Sequence, residues 1–162
     1  MTEQEIHVGM ADLKVAKAPA ILSSLGIGSC VGIALYFAVL KIGGLSHIML
    51  PDSNLVQNNS NRAKFANTAI PDMIDKMEKM GANRKLIRAK IMGGAHMFNF
   101  PATNKVFNVG ERNVAKVKEV LQQLHIRLIA EDTGGDHGRS MYFNTETGDV
   151  TVRTIAHGER II

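Results

Sequence analysis

The strongest constraint on this chain is a pair of apolar segments separated by a short glycine-containing turn. Residues 31–40 (VGIALYFAVL) and 45–50 (LSHIML) flank the turn at residues 41–44 (KIGG). The first segment has about half of the roughly 20 residues that a membrane-spanning helix requires. Large and small residues alternate from Val31 to Phe37, which favours a buried strand, although so short a run also permits a helix. If both segments are strands, they can pair as an antiparallel hairpin.

Strand and helix patterns alternate along the rest of the chain. Inside the first predicted helix, Pro71 removes a backbone donor, so we expect a kink or two abutting helices there. The mixture indicates the α/β class, and 162 residues suit one domain spanning residues 1–162. The further predicted elements are short strands near 6–10 and 13–16, a helix from 62 to 81, a strand-helix-strand crossover from 86 to 130, and a hairpin over 141–152.

Composition limits the classes of function that the chain can have. Hydrophobic residues make up 45% of the sequence and charged residues 21%, as in ordinary soluble proteins. The net charge of +4 is spread over scattered residues, and there is no tryptophan, so nucleic-acid binding is not expected. The first residues (MTEQEIHVG) lack the basic start and apolar core of a secretory signal. The single cysteine favours a reducing compartment, so we expect a cytoplasmic protein without membrane insertion.

That cysteine, Cys30, lies among small residues in the stretch SSLGIGSCVG at 23–32. Glycines allow a second chain to approach closely, and free backbone N–H groups can stabilise an oxyanion. The pattern therefore suggests a nucleophile that acts on a protein side chain. A small, inert core cysteine is the alternative, and spacing alone does not decide between the two.

A nucleophilic thiol needs a base, and six histidines are available. His47 lies in the second apolar segment, and an antiparallel hairpin would bring it towards Cys30. Ser24 precedes the thiol and can orient the imidazole through its hydroxyl. A hydrogen-bonded core histidine is the alternative for His47.

Other known motifs fit the glycine stretch poorly. The dinucleotide pattern G-x-G-x-x-G would need glycine where Val31 stands, and no lysine lies between Lys17 and Lys41 to complete a phosphate-binding loop. One cysteine is too few for a structural zinc site of the usual kind. A metal site made of histidines alone stays possible, although His96 and His137 show no metal-ligand spacing.

Several motifs in order along the chain resemble the CheD family of chemoreceptor glutamine deamidases, over roughly residues 5–155. They are LGIGSCVGI (25–33), GGLSHIMLP (43–51), KIMGGAHMF (90–98), VGERNV (109–114), AEDTGG (130–135) and GRS (138–140).

The resemblance implies a fold of stacked β-sheets flanked by helices. It also implies hydrolysis of glutamine side chains on the cytoplasmic helices of chemoreceptors, with release of ammonia. In this family a cysteine is the nucleophile, a histidine the base, and a threonine orients the histidine. The resemblance therefore implies no metal and no organic cofactor. These roles fall on Cys30, His47 and Ser24, where serine replaces the usual threonine. Some members bind a CheC-type phosphatase, which makes such a partner a further expectation.

Two more segments have alternative interpretations. Residues 93–98 (GGAHMF) form either a partner-docking loop or a simple turn with Phe98 in the core. Residues 133–140 (TGGDHGRS) form either an anion-binding concavity beside Arg139 or an ordinary solvated loop. At the level of the whole protein, the alternatives to the deamidase are a non-catalytic chemotaxis interaction protein and a thiol amidase acting on small molecules.

Overall fold

The computed structural model describes residues 3–97 and 108–162, which form ten β-strands and two α-helices. Short 3-10 turns occupy Ser53–Leu55, Arg62–Lys64 and Arg84–Leu86. The strands and helices in chain order are β1 (Gln4–His7), β2 (Asp12–Lys17), β3 (Ala20–Ile27), β4 (Val31–Phe37), β5 (Ile42–Ile48), α1 (Ala66–Lys79), β6 (Arg88–Gly93), α2 (Val109–Gln123), β7 (Arg127–Thr133), β8 (Arg139–Asn144), β9 (Val150–Thr154) and β10 (Gly158–Ile161).

The strands form two five-stranded sheets that stack face to face. The first sheet has the order β1-β3-β8-β9-β10, and the second has the order β2-β5-β4-β6-β7. Each sheet has one parallel pair, β1 with β3 and β6 with β7, and the other pairs are antiparallel. This arrangement confirms the expected α/β class with stacked sheets and flanking helices.

The apolar pair that dominates the sequence forms the predicted hairpin. β4 and β5 are antiparallel, from Val31 opposite Ile48 to Phe37 opposite Ile42. The turn between them needs a left-handed residue, which is Lys41 with a φ of 52°. All seven residues of β5 are buried, because β2 and β4 flank it and both of its faces are covered.

Side-chain alternation along β4 and β5 separates two cores. One core joins the second sheet to both helices, through residues such as Ile33, Leu35 and Met73. The other lies between the two sheets and contains Ala34 and Leu45. Because successive strand residues point to opposite faces, the odd-numbered residues 43, 45 and 47 of β5 lie on the side of the first sheet.

Both helices pack on the outer face of the second sheet through apolar stripes. α1 is one helix that runs through Pro71, so the two abutting helices considered from the sequence are not formed. Proline at the sixth helical position removes only one backbone hydrogen bond, and six buried side chains hold the helix on the sheet. Neither helix within the described ranges is long and apolar enough to cross a membrane.

The crossover and the second hairpin are confirmed, while two strands were not foreseen. α2 connects the parallel strands β6 and β7, and β8 pairs with β9. β3 and β10 lie in polar or glycine-containing sequence, in which apolar and polar residues do not clearly alternate with a period of two. The strand expected over 86–92 begins only at Arg88, because the preceding residues form a 3-10 turn.

Candidate active site

Ser24 is placed by an irregularity in β3. It pairs with Met141 of β8, and the register shifts before the next pair, Ile27 with Arg139. Gly26 supplies the positive φ of 62° within this bulge. Bulges redirect the side chains beside them. Ser24 is fully buried, and its hydroxyl reaches across to the second sheet.

A short hydrogen-bonded chain joins Ser24 to His47. The Ser24 hydroxyl donates to the Val8 carbonyl at 2.7 Å, and Ser24 Oγ lies 2.7 Å from His47 Nδ1. A hydroxyl has one proton, and a carbonyl can only accept. Since that proton goes to Val8, the neutral ring must carry its own proton on Nδ1 and donate it to Ser24. The network therefore assigns the free lone pair of His47 to Nε2.

That lone pair has no hydrogen-bond partner among the residues that the structure describes. His47 is 2% exposed, and its Nε2 makes no hydrogen bond within residues 3–97 and 108–162. Burial, and to a smaller extent the charge of nearby His7, lowers the pKa of His47 to about 4. At neutral pH the ring is therefore uncharged, and its unpaired nitrogen is available to accept a proton.

Cys30 lies in the link between β3 and β4 and belongs to the core between the sheets. Cys30 is 8% exposed. Burial raises the pKa of its thiol, and a hydrogen bond from its own backbone N–H lowers that pKa by a smaller amount. The loop after β6 holds this link in place. Gly94 N–H donates to the Cys30 carbonyl at 2.7 Å, and Ala95 N–H donates to the Gly28 carbonyl at 2.9 Å.

The hairpin brings Cys30 and His47 to the same region without a direct hydrogen bond. Gly32 is paired with His47 across β4 and β5, and Cys30 precedes Gly32 by two residues. Ser24 is thus hydrogen-bonded directly to His47. Cys30 lies in the core between the same two sheets, but its thiol makes no hydrogen bond to His47 Nε2. Catalytic hydrogen bonds often tighten only when substrate is bound.

The backbone around Cys30 offers unused donors. Within the described ranges, the N–H groups of Gly28, Ser29 and Cys30 donate to no backbone carbonyl and no side chain of another residue. Such donors beside a thiol can stabilise an oxyanion. The region thus contains a thiol, an imidazole with a fixed tautomer and free backbone N–H groups, which are the kinds of group that acyl transfer requires.

The structure bears on the two other segments for which the sequence left alternatives open. Arg139 is 3% exposed and donates to the side chain and the carbonyl of Asp132, both at 2.6 Å, and to the Gly134 carbonyl. Gly134 N–H is used on the Gly93 carbonyl. These hydrogen bonds of Arg139 and Gly134 count against the anion-binding alternative for this segment. Of the proposed docking loop, residues 93–97 support the cysteine link, and Phe98 lies outside the described residues.

Two residues at the site could not be found from the sequence. Val8 acts through its backbone carbonyl, which any residue would supply, so its side chain gives no signal. Asn113 of α2 donates from Nδ2 to the carbonyls of Ser29 and Met49, at 2.9 and 3.0 Å. Only its burial distinguishes it, because Asn113 is the one polar side chain among the buried positions of α2. Among the residues that the structure describes, no three His, Cys, Asp or Glu side chains form a group suited to a metal ion.

Comparison with known proteins gives consistent matches. A probable chemoreceptor glutamine deamidase CheD from Clostridium novyi is 52% identical over 162 residues, covering 100% of both chains. Another from Syntrophomonas wolfei is 53% identical over 157 residues, covering 97% of this chain and 98% of its own. The crystal structure of the Bacillus licheniformis hypothetical protein YfiH matches 75% of this chain and 50% of its own, with a TM-score of 0.44 and 18% identity.

The family model described as CheD chemotactic sensory transduction matches residues 49–154. That match covers more than half of the chain, and the curated relatives also match over the residues before it. The chain therefore belongs to the CheD family.

Proposed function

We propose that this chain is a chemoreceptor glutamine deamidase in which Cys30 is the nucleophile, His47 the general base and Ser24 the residue that orients His47. The observation that carries the proposal is the Val8–Ser24–His47 chain. It leaves an unprotonated, unpaired Nε2 in the same core as the only cysteine of the protein.

The first half of the reaction forms a thioester. Cys30 Sγ–H gives its proton to His47 Nε2, and the sulfur attacks the carboxamide carbon of a glutamine side chain. The carbonyl electrons move to oxygen, and the N–H groups of residues 28–30 stabilise the resulting oxyanion. His47 then gives the proton to the amide nitrogen, the C–N bond breaks, and ammonia leaves.

The second half releases glutamate. Water loses a proton to His47 Nε2, and the hydroxide attacks the thioester carbon. The C–S bond breaks, and the sulfur regains its proton from His47. Throughout both halves Nδ1 keeps its own proton, which it donates in a hydrogen bond to Ser24 Oγ. Nε2 is therefore the nitrogen that accepts and returns every proton.

The substrate class follows from the family. The relatives are named as acting on chemoreceptor glutamines, and we assign the same substrate to this chain. Chemoreceptor helices present those glutamines in the cytoplasm, which is the compartment we propose. A CheC-type phosphatase is a second proposed partner, and it rests on the family resemblance.

The test is incubation of the purified chain with the cytoplasmic fragment of a chemoreceptor, followed by measurement of released ammonia and receptor mass. Each deamidation exchanges NH2 for OH, so the mass rises by that difference at each modified glutamine. We expect both signals from the wild-type chain and neither from Cys30→Ala or His47→Ala.

The chain offers a chemical control, because iodoacetamide can alkylate only one cysteine in it. Alkylated wild-type protein should lose the activity in proportion to the thiol consumed, while melting temperature shows that the fold persists. Normal deamidation by the folded Cys30→Ala variant would refute the assignment of Cys30 as the nucleophile. A wild-type chain that binds the receptor fragment without changing its mass would support the non-catalytic interaction protein instead.

A further inference from the structure

We propose that Asn113 is a positioning residue of the active site, which aims the Cys30 N–H at the oxyanion through the Ser29 carbonyl. This inference rests on the proposed function. It assigns a role to the VGERNV segment at 109–114, a segment that supplies neither the nucleophile nor the base.

The geometry of Asn113 fixes the direction of its amide. The side chain is fully buried on α2, and its Nδ2 lies 2.9 Å from the Ser29 carbonyl and 3.0 Å from the Met49 carbonyl. Both neighbours are acceptors, so the atom facing them must be the nitrogen. Both protons of the amide are used, one on each segment.

The Ser29 contact controls the orientation of the next peptide unit. A trans peptide is planar, and its C=O and N–H point in opposite directions. When Asn113 holds the Ser29 carbonyl, it therefore also holds the Cys30 N–H pointing away from α2. Within the described ranges that N–H donates to no other residue and faces only the Cys30 thiol, so it can also reach an oxygen on the carbon that the sulfur attacks.

Asn113 provides the only side-chain contact in a row of three held carbonyls. The carbonyls of Gly28 and Cys30 accept from the backbone N–H groups of Ala95 and Gly94. The Ser29 carbonyl between them accepts from Asn113. Backbone contacts survive most substitutions, whereas the middle one depends on the identity of one residue.

The contact with Met49 connects this link to the base. Met49 follows His47 by two residues, just after the end of β5. One amide thus ties the backbone beside the nucleophile to the backbone beside the imidazole. A shift of either segment would strain the hydrogen bond to the other.

Asn113 also carries a structural cost that folding alone does not explain. Its Oδ1 is buried and makes no hydrogen bond within the described residues. The other buried positions of α2 facing the core, Val117, Val120 and Leu121, are apolar. An apolar residue at 113 would avoid the unpaired oxygen, so we attribute the retained amide to its control of Ser29 and Met49.

The experiment compares Asn113→Ala and Asn113→Leu with Val117→Ala, a matched control one turn further along the same buried face. Three quantities are measured for each folded variant: kcat and KM for receptor deamidation, and the rate of Cys30 alkylation by iodoacetamide. Alkylation displaces iodide without forming an oxyanion, so it reports the thiol independently of the Cys30 N–H.

We expect both Asn113 variants to lose about 100-fold in kcat, the usual effect of a lost or misdirected oxyanion donor, with KM changed by less than about threefold. Alkylation of Cys30 should stay within about threefold of wild type. Val117→Ala should lower the melting temperature and leave kcat within about twofold at temperatures where it is folded.

Three outcomes would overturn the proposal. They are a kcat within about threefold of wild type in a folded Asn113 variant, a loss of alkylation parallel to the loss of kcat, and failure of both Asn113 variants to fold, which would make the amide a folding determinant. A wild-type chain that releases no ammonia would instead refute the proposed function. The wild type alone shows that failure, so it is distinguishable from failure of the role of Asn113.

Discussion

Gly32 lies directly opposite His47 in the antiparallel ladder of β4 and β5. A side chain at Gly32 would collide with the sulfur of Met141 and come within 3.0 Å of Ile27 Cδ1. The first sheet can therefore approach His47 closely only because position 32 has no side chain. The contact between Ser24 on one sheet and His47 on the other depends on that approach.

Gly32→Ala should consequently weaken both the fold and the site. We expect the free energy of unfolding to fall by about 1–3 kcal/mol through overpacking, and deamidation to slow in the folded fraction. Urea unfolding and ammonia release measure the two effects. Gly9→Ala is the control, since a methyl there would have nothing within 4 Å. Equal stability of the two variants would contradict the proposed close approach.

Ser24 variants test the assignment of the His47 tautomer. Ser24→Ala removes the acceptor for Nδ1–H, so the ring can rotate or move its proton, and we expect kcat to fall about 100-fold. Ser24→Thr keeps the hydroxyl and should retain activity within about fivefold. Ser23→Ala, a neighbouring buried serine on the opposite face of β3, should leave kcat unchanged. If Ser24→Ala were as active as Ser24→Thr, the orienting role would be lost.

The low pKa of His47 predicts a defined pH dependence of stability. Between pH 6.5 and about 4 the unfolded chain holds a proton on this residue that the folded chain excludes. The free energy of unfolding should therefore decrease as pH falls through this window, and His47 should contribute no further loss below it. The difference in melting temperature between wild type and His47→Gln, followed from pH 7 to pH 4, isolates the effect. Parallel curves would mean that His47 titrates at its ordinary pKa.

The pair formed by the buried Arg139 and the half-buried Asp132 should stabilise the fold far more than a surface pair. Arg139→Met leaves the Asp132 carboxylate with only the more distant Arg160, at 3.5 Å, and releases the Gly134 carbonyl. We expect a loss of about 3 kcal/mol in the free energy of unfolding. Arg153→Met, which breaks the exposed pair with Glu159, should cost less than about 1 kcal/mol. Denaturant unfolding of both variants makes the comparison, and equal losses would contradict it.

The sequence predicts those parts of the fold where one local pattern decides the outcome. The hairpin of β4 and β5 follows from two apolar runs around a glycine turn. The crossover of β6, α2 and β7 follows from apolar residues that recur every two residues in the strands and every three to four in the helix. β3 was missed because its outward Leu25 and its bulge at Gly26 interrupt the alternation. Its strand conformation depends on β1 and β8, which are distant in sequence.

The candidate site was accessible from residue types but not from its geometry. Cys30, His47 and Ser24 can be selected as chemically capable residues, and family motifs support that choice. The proton arrangement on His47 depends on the Val8 carbonyl, and the support of Ser29 depends on Asn113. Both are contacts between elements that no local spacing encodes, because they arise only when the sheets stack and α2 packs on them.

The division of the site between the two sheets has a consequence for how the chain acquires its chemistry. Ser24 belongs to a strand that pairs with β8, and its sheet is complete only once β10, at the end of the chain, has joined it. His47 belongs to the other layer. A newly made chain therefore cannot fix the tautomer of His47 through Ser24 until both layers have docked.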